Sequence, residues 1–112
     1  MNIENNERLT QIYQFYGILL TDTQRQYFSD YYFDDFSLAE IAENAGVSRQ
    51  AVFDNLKRTA KLLEDYEAKL GLADNFAAID QGLDSVLVSL NEDNKEQAIL
   101  KIQQIKQLIE EN

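Results

Sequence analysis

The sequence predicts an all-α fold. Three observations carry the prediction: the 112 residues contain no Pro and only four Gly, helix-forming Leu, Ile, Ala, Glu, Gln and Lys are abundant, and apolar residues recur three and four apart along most of the chain. A chain of this length can build one body with a real core. It is read here as a main domain over residues 1–71 and a C-terminal helical hairpin over residues 72–112. A hydrophobic fraction of 45% with six Tyr and six Phe sets it apart from disordered chains, which lack the apolar surface to offset the entropy of ordering.

The first helix is expected over Glu7 to Leu20, with Asn5 or Asn6 as cap and an apolar stripe of Leu9, Ile12, Tyr13, Phe15, Tyr16, Leu19 and Leu20. Thr21-Asp22-Thr23-Gln24 has the spacing of a capping box and so predicts the start of a second helix. On it Tyr27, Phe28, Tyr31 and Tyr32 form a broad aromatic face. Such a face is either core or a platform on which bases or a peptide stack, and core is the commoner use. Asp34-Asp35 marks the break.

A second capping box, Ser37-Leu38-Ala39-Glu40, opens a short helix whose inner side is Leu38, Ile41 and Ala42. Gly46 then suits the left-handed backbone of a tight helix-to-helix turn, Val47 is expected to plug the core behind it, and Ser48 can cap the next helix. From there Val52, Leu56, Ala60, Leu63, Tyr66 and Leu70 keep helical spacing up to Gly71. About 23 residues at 1.5 Å per residue span roughly 35 Å. Short helix, three-residue turn and long helix make a helix-turn-helix.

Beyond a hinge expected at Gly71 to Asn75, Phe76, Ile79, Leu83, Val86, Leu87 and Leu90 form one amphipathic stripe, and Ile99, Ile102, Ile105, Leu108 and Ile109 another. The polar Asn91-Glu92-Asp93-Asn94 separates them, with Asp93 or Asn91 expected to cap the last helix. Both stripes approach a heptad seam. They can fold back onto Leu63 to Leu70 or pair with a second copy of the chain, and the sequence leaves both open.

The absence of Cys and His excludes disulfides, thiol chemistry, thiolate or imidazole zinc sites and imidazole acid–base catalysis. Asp80 with Asp84, or Glu92, Asp93 and Glu96, have the look of paired carboxylates or cation ligands, but no nucleophile, phosphate loop or convergent base accompanies them. They are read as a solvated face and a capped turn, and neither catalytic residue, metal nor cofactor is expected. Met1 to Arg8 lacks the pattern of a secretory signal, and no apolar run approaches the roughly 20 residues that span a bilayer. A cytoplasmic protein without membrane insertion is expected.

Twenty acidic residues against ten basic ones give a formal net charge of -10. General affinity for nucleic acid is therefore excluded, and any such binding must be local. One stretch alone is positive: Ala45 to Lys61 carries Arg49, Lys57, Arg58 and Lys61 against Asp54. In a helix-turn-helix the start of the second helix meets base edges while flanking groups meet phosphates. Ser48, Arg49, Gln50, Phe53 and Asp54 are the candidates for the groove, with Lys57, Arg58 and Lys61 for the backbone. Arg on guanine and Gln on adenine are the sensible pairings, whereas Asp54 repels phosphate. The competing reading is the ordinary solvated face of an amphipathic helix.

From Leu20-Thr21 through Gln24-Arg25, then Ser37 to Ala42, Gly46-Val47-Ser48 and Val52, the chain resembles region 4 of sigma factors. It departs at Asn55, where that pattern usually has an apolar residue and where Leu56 takes the inward role. Over nearly its whole length, including "SRQAVFDNLKRTAKLLEDYE", it resembles the YlxM family of small bacterial helix-turn-helix proteins. The resemblance implies a sigma region 4-like bundle with a long recognition helix, and a regulatory part in the signal recognition particle pathway. Duplex DNA, or the particle's protein or RNA, are the expected partners, with a homodimer through the C-terminal helices as a further expectation.

Overall fold

The computed structural model describes residues 6–111, and among them the structure is helical throughout. In chain order the helices are α1 (Asn6–Tyr16), a 3-10 turn (Gly17–Leu19), α2 (Asp22–Tyr32), α3 (Leu38–Ala45), α4 (Arg49–Leu70), α5 (Leu72–Asn91) and α6 (Lys95–Glu110). They form two compact units, one up to Leu70 and one from Gly71 onward. The cap expected at Asn5 or Asn6 lies outside the described side chains.

In the first unit α4 packs against α1, α2 and α3. Leu9, Ile12 and Tyr16 from α1, Phe28 and Tyr32 from α2, Ile41 and Ala42 from α3, and Val52, Leu56, Ala60 and Leu63 from α4 are buried together. The aromatic face of α2 is therefore largely core. Phe28 lies parallel to Tyr13 at 4.5 Å between centroids and 4.4 Å from the Tyr32 ring. Burial, and then the neighbouring Tyr31, pushes the Tyr32 hydroxyl up to about 12. At neutral pH it is uncharged, as an apolar site requires.

The first helix stops at Tyr16, earlier than its apolar pattern predicts. Gly17 is a weak helix former, and the Tyr13 ring lies 3.0 Å from where its Cβ would be. The chain tightens there into the 3-10 turn, leaving Ile18 and the expected stripe residue Leu19 exposed, while Leu20 still reaches the core.

Both capping boxes form with both arms. Thr21 accepts from the Gln24 N–H at 3.2 Å and Gln24 accepts from the Thr21 N–H at 2.9 Å; Ser37 and Glu40 do the same at 3.1 and 3.0 Å. The Ser37 backbone N–H, then its hydroxyl, hold the Glu40 carboxyl below its ordinary value. Because the folded value is the lower one, the charged carboxylate stabilises the fold at neutral pH, and the gain is lost as pH falls through the lowered value. Ser37→Ala should cost about 1 kcal/mol by chemical denaturation at pH 7, and Glu40→Gln should flatten the acid limb of the stability profile.

Between α2 and α3 Asp35 takes a left-handed φ of 56° and the Phe36 N–H donates to the Asp30 carbonyl at 2.9 Å. After α3 Gly46, at φ 70°, donates to Glu43, and the Val47 N–H reaches Ala42 at 3.0 Å. These two bonds make a Schellman turn. They also correct the expectation for Val47: its N–H closes the turn, while its side chain is 42% exposed rather than in the core.

In the second unit α5 and α6 run antiparallel around Val86, Ala98 and Ile105, with Ile79 packed on them. The expected hinge shrinks to one residue, Gly71 at φ 65°, since α5 begins at Leu72. Neither Asp93 nor Asn91 caps α6. Asp93 takes a left-handed φ of 55° to turn the chain, which leaves Asn94 to accept from the Gln97 N–H at 3.1 Å.

Candidate nucleic-acid interface

Every cation of the positive stretch sits on α4. Ser48 caps it by accepting from the Ala51 N–H at 3.0 Å. Val52, Leu56, Thr59, Ala60 and Leu63 form its buried side, so Gln50, Lys57, Arg58 and Lys61 fall on the exposed side. At 100° per residue Gln50, Asp54, Lys57 and Lys61 share a stripe about 60° wide, while Arg49 and Arg58 stand about 80° and 100° from Lys57 on opposite flanks. The six expected site residues, Ser48, Arg49, Gln50, Lys57, Arg58 and Lys61, are thus exposed on one helix. They do not converge on a point.

Two carboxylates temper this ridge. Gln50 Nε2 donates to Asp54 Oδ1 at 2.9 Å, so the amide best suited to an adenine edge is held along its own helix. Lys61 Nζ is 3.5 Å from Asp65 Oδ2, an exposed pair of little energetic worth. Only the hydrogen bond to Gln50 bears on recognition. It was hidden in the sequence, although the i, i+4 spacing of Gln and Asp is its signal.

Leu38, Arg49, Gln50 and Phe53 line a cleft of about 480 Å³ between the start of α3 and the start of α4. Leu38, expected as core, is only half buried because it forms one wall. The cleft gives Arg49 and Gln50 an apolar floor in Phe53. A flipped-out base or a thymine methyl finds apolar contact in such surroundings.

A short helix, a turn through left-handed Gly46 and a long helix with an exposed basic side define the class: this is a helix-turn-helix protein. Residues 3–108 match the family described as "UPF0122: Putative helix-turn-helix protein, YlxM / p13 like", and the chain belongs to that family. It is 47% identical over 111 residues to the UPF0122 protein YofM of Lactococcus lactis subsp. lactis strain IL1403, covering 99% of this chain and 98% of the relative. It is also 51% identical over 94 residues to a UPF0122 protein of Streptococcus pneumoniae strain Hungary19A-6, covering 84% and 86%. Among the described residues no helix is long and apolar enough to cross a membrane.

Proposed function

We propose that this protein is a cytoplasmic regulator that binds duplex DNA through α4. The observation that carries the reading is the exposed basic side of that helix, set behind a helix-turn-helix turn in a chain that is otherwise acidic. Ser48, Arg49 and Gln50 face base edges; Lys57, Arg58 and Lys61 face phosphates. Arg49 and Arg58 on opposite flanks suit the two strands that border a major groove. Few phosphate contacts come from one chain, so binding is weak and salt-sensitive, and a second copy would double them.

The hydrogen bond from Gln50 to Asp54 favours a second reading. With its amide engaged and a carboxylate in mid-stripe, the helix reads bases poorly. An adaptor in the signal recognition particle pathway would use the same ridge on the particle's RNA, or the acidic surfaces on a basic partner domain.

The test is fluorescence anisotropy with duplex DNA and with the particle's RNA across a salt series. Arg49→Ala with Lys57→Ala should weaken DNA binding and flatten the slope of log affinity against log salt by about two. Unchanged affinity and slope for DNA, with loss of RNA binding in the same variant, would replace the regulator by the adaptor.

A further inference from the structure

The second unit leaves most of its apolar surface uncovered. Its seam is built on small residues of α5, namely Ala78, Gly82, Ser85 and Ser89, which let α6 approach closely. A Cβ on Gly82 would lie 2.7 Å from Ile105 Cγ1, and Lys101 Nζ donates to Ser89 Oγ at 3.0 Å. These neighbours set the register. Gly82 is level with Ile105, and each step along α5 is matched by a step back along α6, which brings Asp80 level with the turn of α6 that holds Lys106.

Helical spacing places Leu72, Phe76, Leu83, Leu87 and Leu90 on one stripe of α5, turned about 100° from the seam. Ile99, Ile102 and Ile109 make a stripe on α6 turned through a similar angle in the same sense. Since the helices are antiparallel, turns of equal sense bring both stripes to one face of the hairpin. That face is open: Phe76 is 59% exposed, Leu87 60% and Ile109 57%. Its exposed apolar area is on the order of 700 Å², more than a typical monomer shows in one patch and close to what each partner of a stable complex buries.

We propose that this face receives a second copy of the chain, hairpin on hairpin, forming a four-helix bundle whose two-fold axis runs parallel to the helices. Charge selects the occupant and the axis. The α5 edge of the face carries exposed Asp80 and Asp84, and the α6 edge exposed Lys95 and Lys106. With the axis along the helices, α5 lies against α6 of the second copy, and Asp80 meets Lys106 twice. With the axis across the helices, carboxylates would face carboxylates and amines would face amines. The competing seat on Leu63 to Leu70 is engaged within the first unit: Leu63 and Glu67 are buried, and Tyr16 of α1 donates to Glu67 at 2.7 Å and packs on the Tyr66 ring. The proposal is independent of what α4 binds.

Sedimentation equilibrium of the full chain at low salt, from about 1 to about 100 μM, tests it. The wild type should be a dimer at the upper end, and Leu83→Lys with Leu87→Lys should be monomeric with unchanged helical circular dichroism, since both positions are exposed. Lys106→Asp should raise the dimer Kd roughly fivefold, and adding Asp80→Lys should restore it. A wild-type monomer throughout the range, or a dimer that survives the two Leu→Lys changes, would overturn the proposal. So would a dimer indifferent to both charge reversals, because the axis chosen here requires the Asp80–Lys106 pairing.

Discussion

Phe28→Ala is expected to cost about 3–5 kcal/mol, the largest loss of any single truncation in the first unit. The ring is fully buried and bordered by Tyr13 at 4.5 Å, Tyr32 at 4.4 Å and Phe33 at 6.1 Å. These neighbours come from α1 and from the end of α2, so their backbones cannot close the void together, and the cavity persists. Against a total stability of about 5–15 kcal/mol, such a loss leaves the unit near its unfolding threshold at room temperature. Urea unfolding followed by circular dichroism reads it directly. A loss below about 1 kcal/mol would mean that the void collapses and that the aromatic cluster is not the centre of the core.

Leu56→Ala should cost about 2–5 kcal/mol, whereas Asn55→Leu should change stability by less than about 1 kcal/mol. The pair of variants tests the pitch of the long helix. Sigma-like helices usually place an apolar residue where this chain has Asn55. Here Leu56 is fully buried on the core side of α4, while Asn55 is half exposed and accepts a long hydrogen bond from the Thr59 hydroxyl at 3.4 Å. Chemical denaturation of the two variants side by side settles which residue points inward. Equal losses would mean that α4 is rotated from the orientation described.

Local signals carried most of the first unit. A capping box is spelled within four residues, and both of them formed; a left-handed glycine after a short helix is spelled within one, and Gly46 adopts it. Ser48 as cap and the buried spacing of Val52, Leu56, Ala60 and Leu63 were legible for the same reason. What failed depended on partners distant in sequence or on competition between neighbours. The stripe of α1 ran on through Leu19 because periodicity takes no account of the Tyr13 ring over Gly17. Asn94 displaced Asp93 as the cap because Asp93 was needed to turn the chain.

The hairpin shows the same limit more strongly. Periodicity marked Phe76, Leu83, Leu87, Ile99, Ile102 and Ile109 as apolar-face residues, but cannot say which neighbour covers a face, and these remain exposed. Leu70, the last residue of the long periodic run, is exposed as well. For the site, the placement of Arg49, Lys57, Arg58 and Lys61 on one helix was readable from charge. The hold of Asp54 on Gln50 depends on the rotamers of both side chains and is seen only in the structure.

The segregation of charge, a small positive ridge within a body of formal net charge -10, has a consequence for how the molecule meets any polyanion. The ion atmosphere decides which part of the protein the polyanion senses. At about 10 mM salt the screening length is about 30 Å, comparable to the whole molecule, and the net negative body repels the approach. Near 150 mM it is about 8 Å, so only the ridge in contact is felt, and beyond that the contact itself is screened. Encounter with a polyanion is therefore fastest at an intermediate ionic strength, which makes the protein a band-pass filter for salt where an ordinary basic DNA binder is a low-pass one.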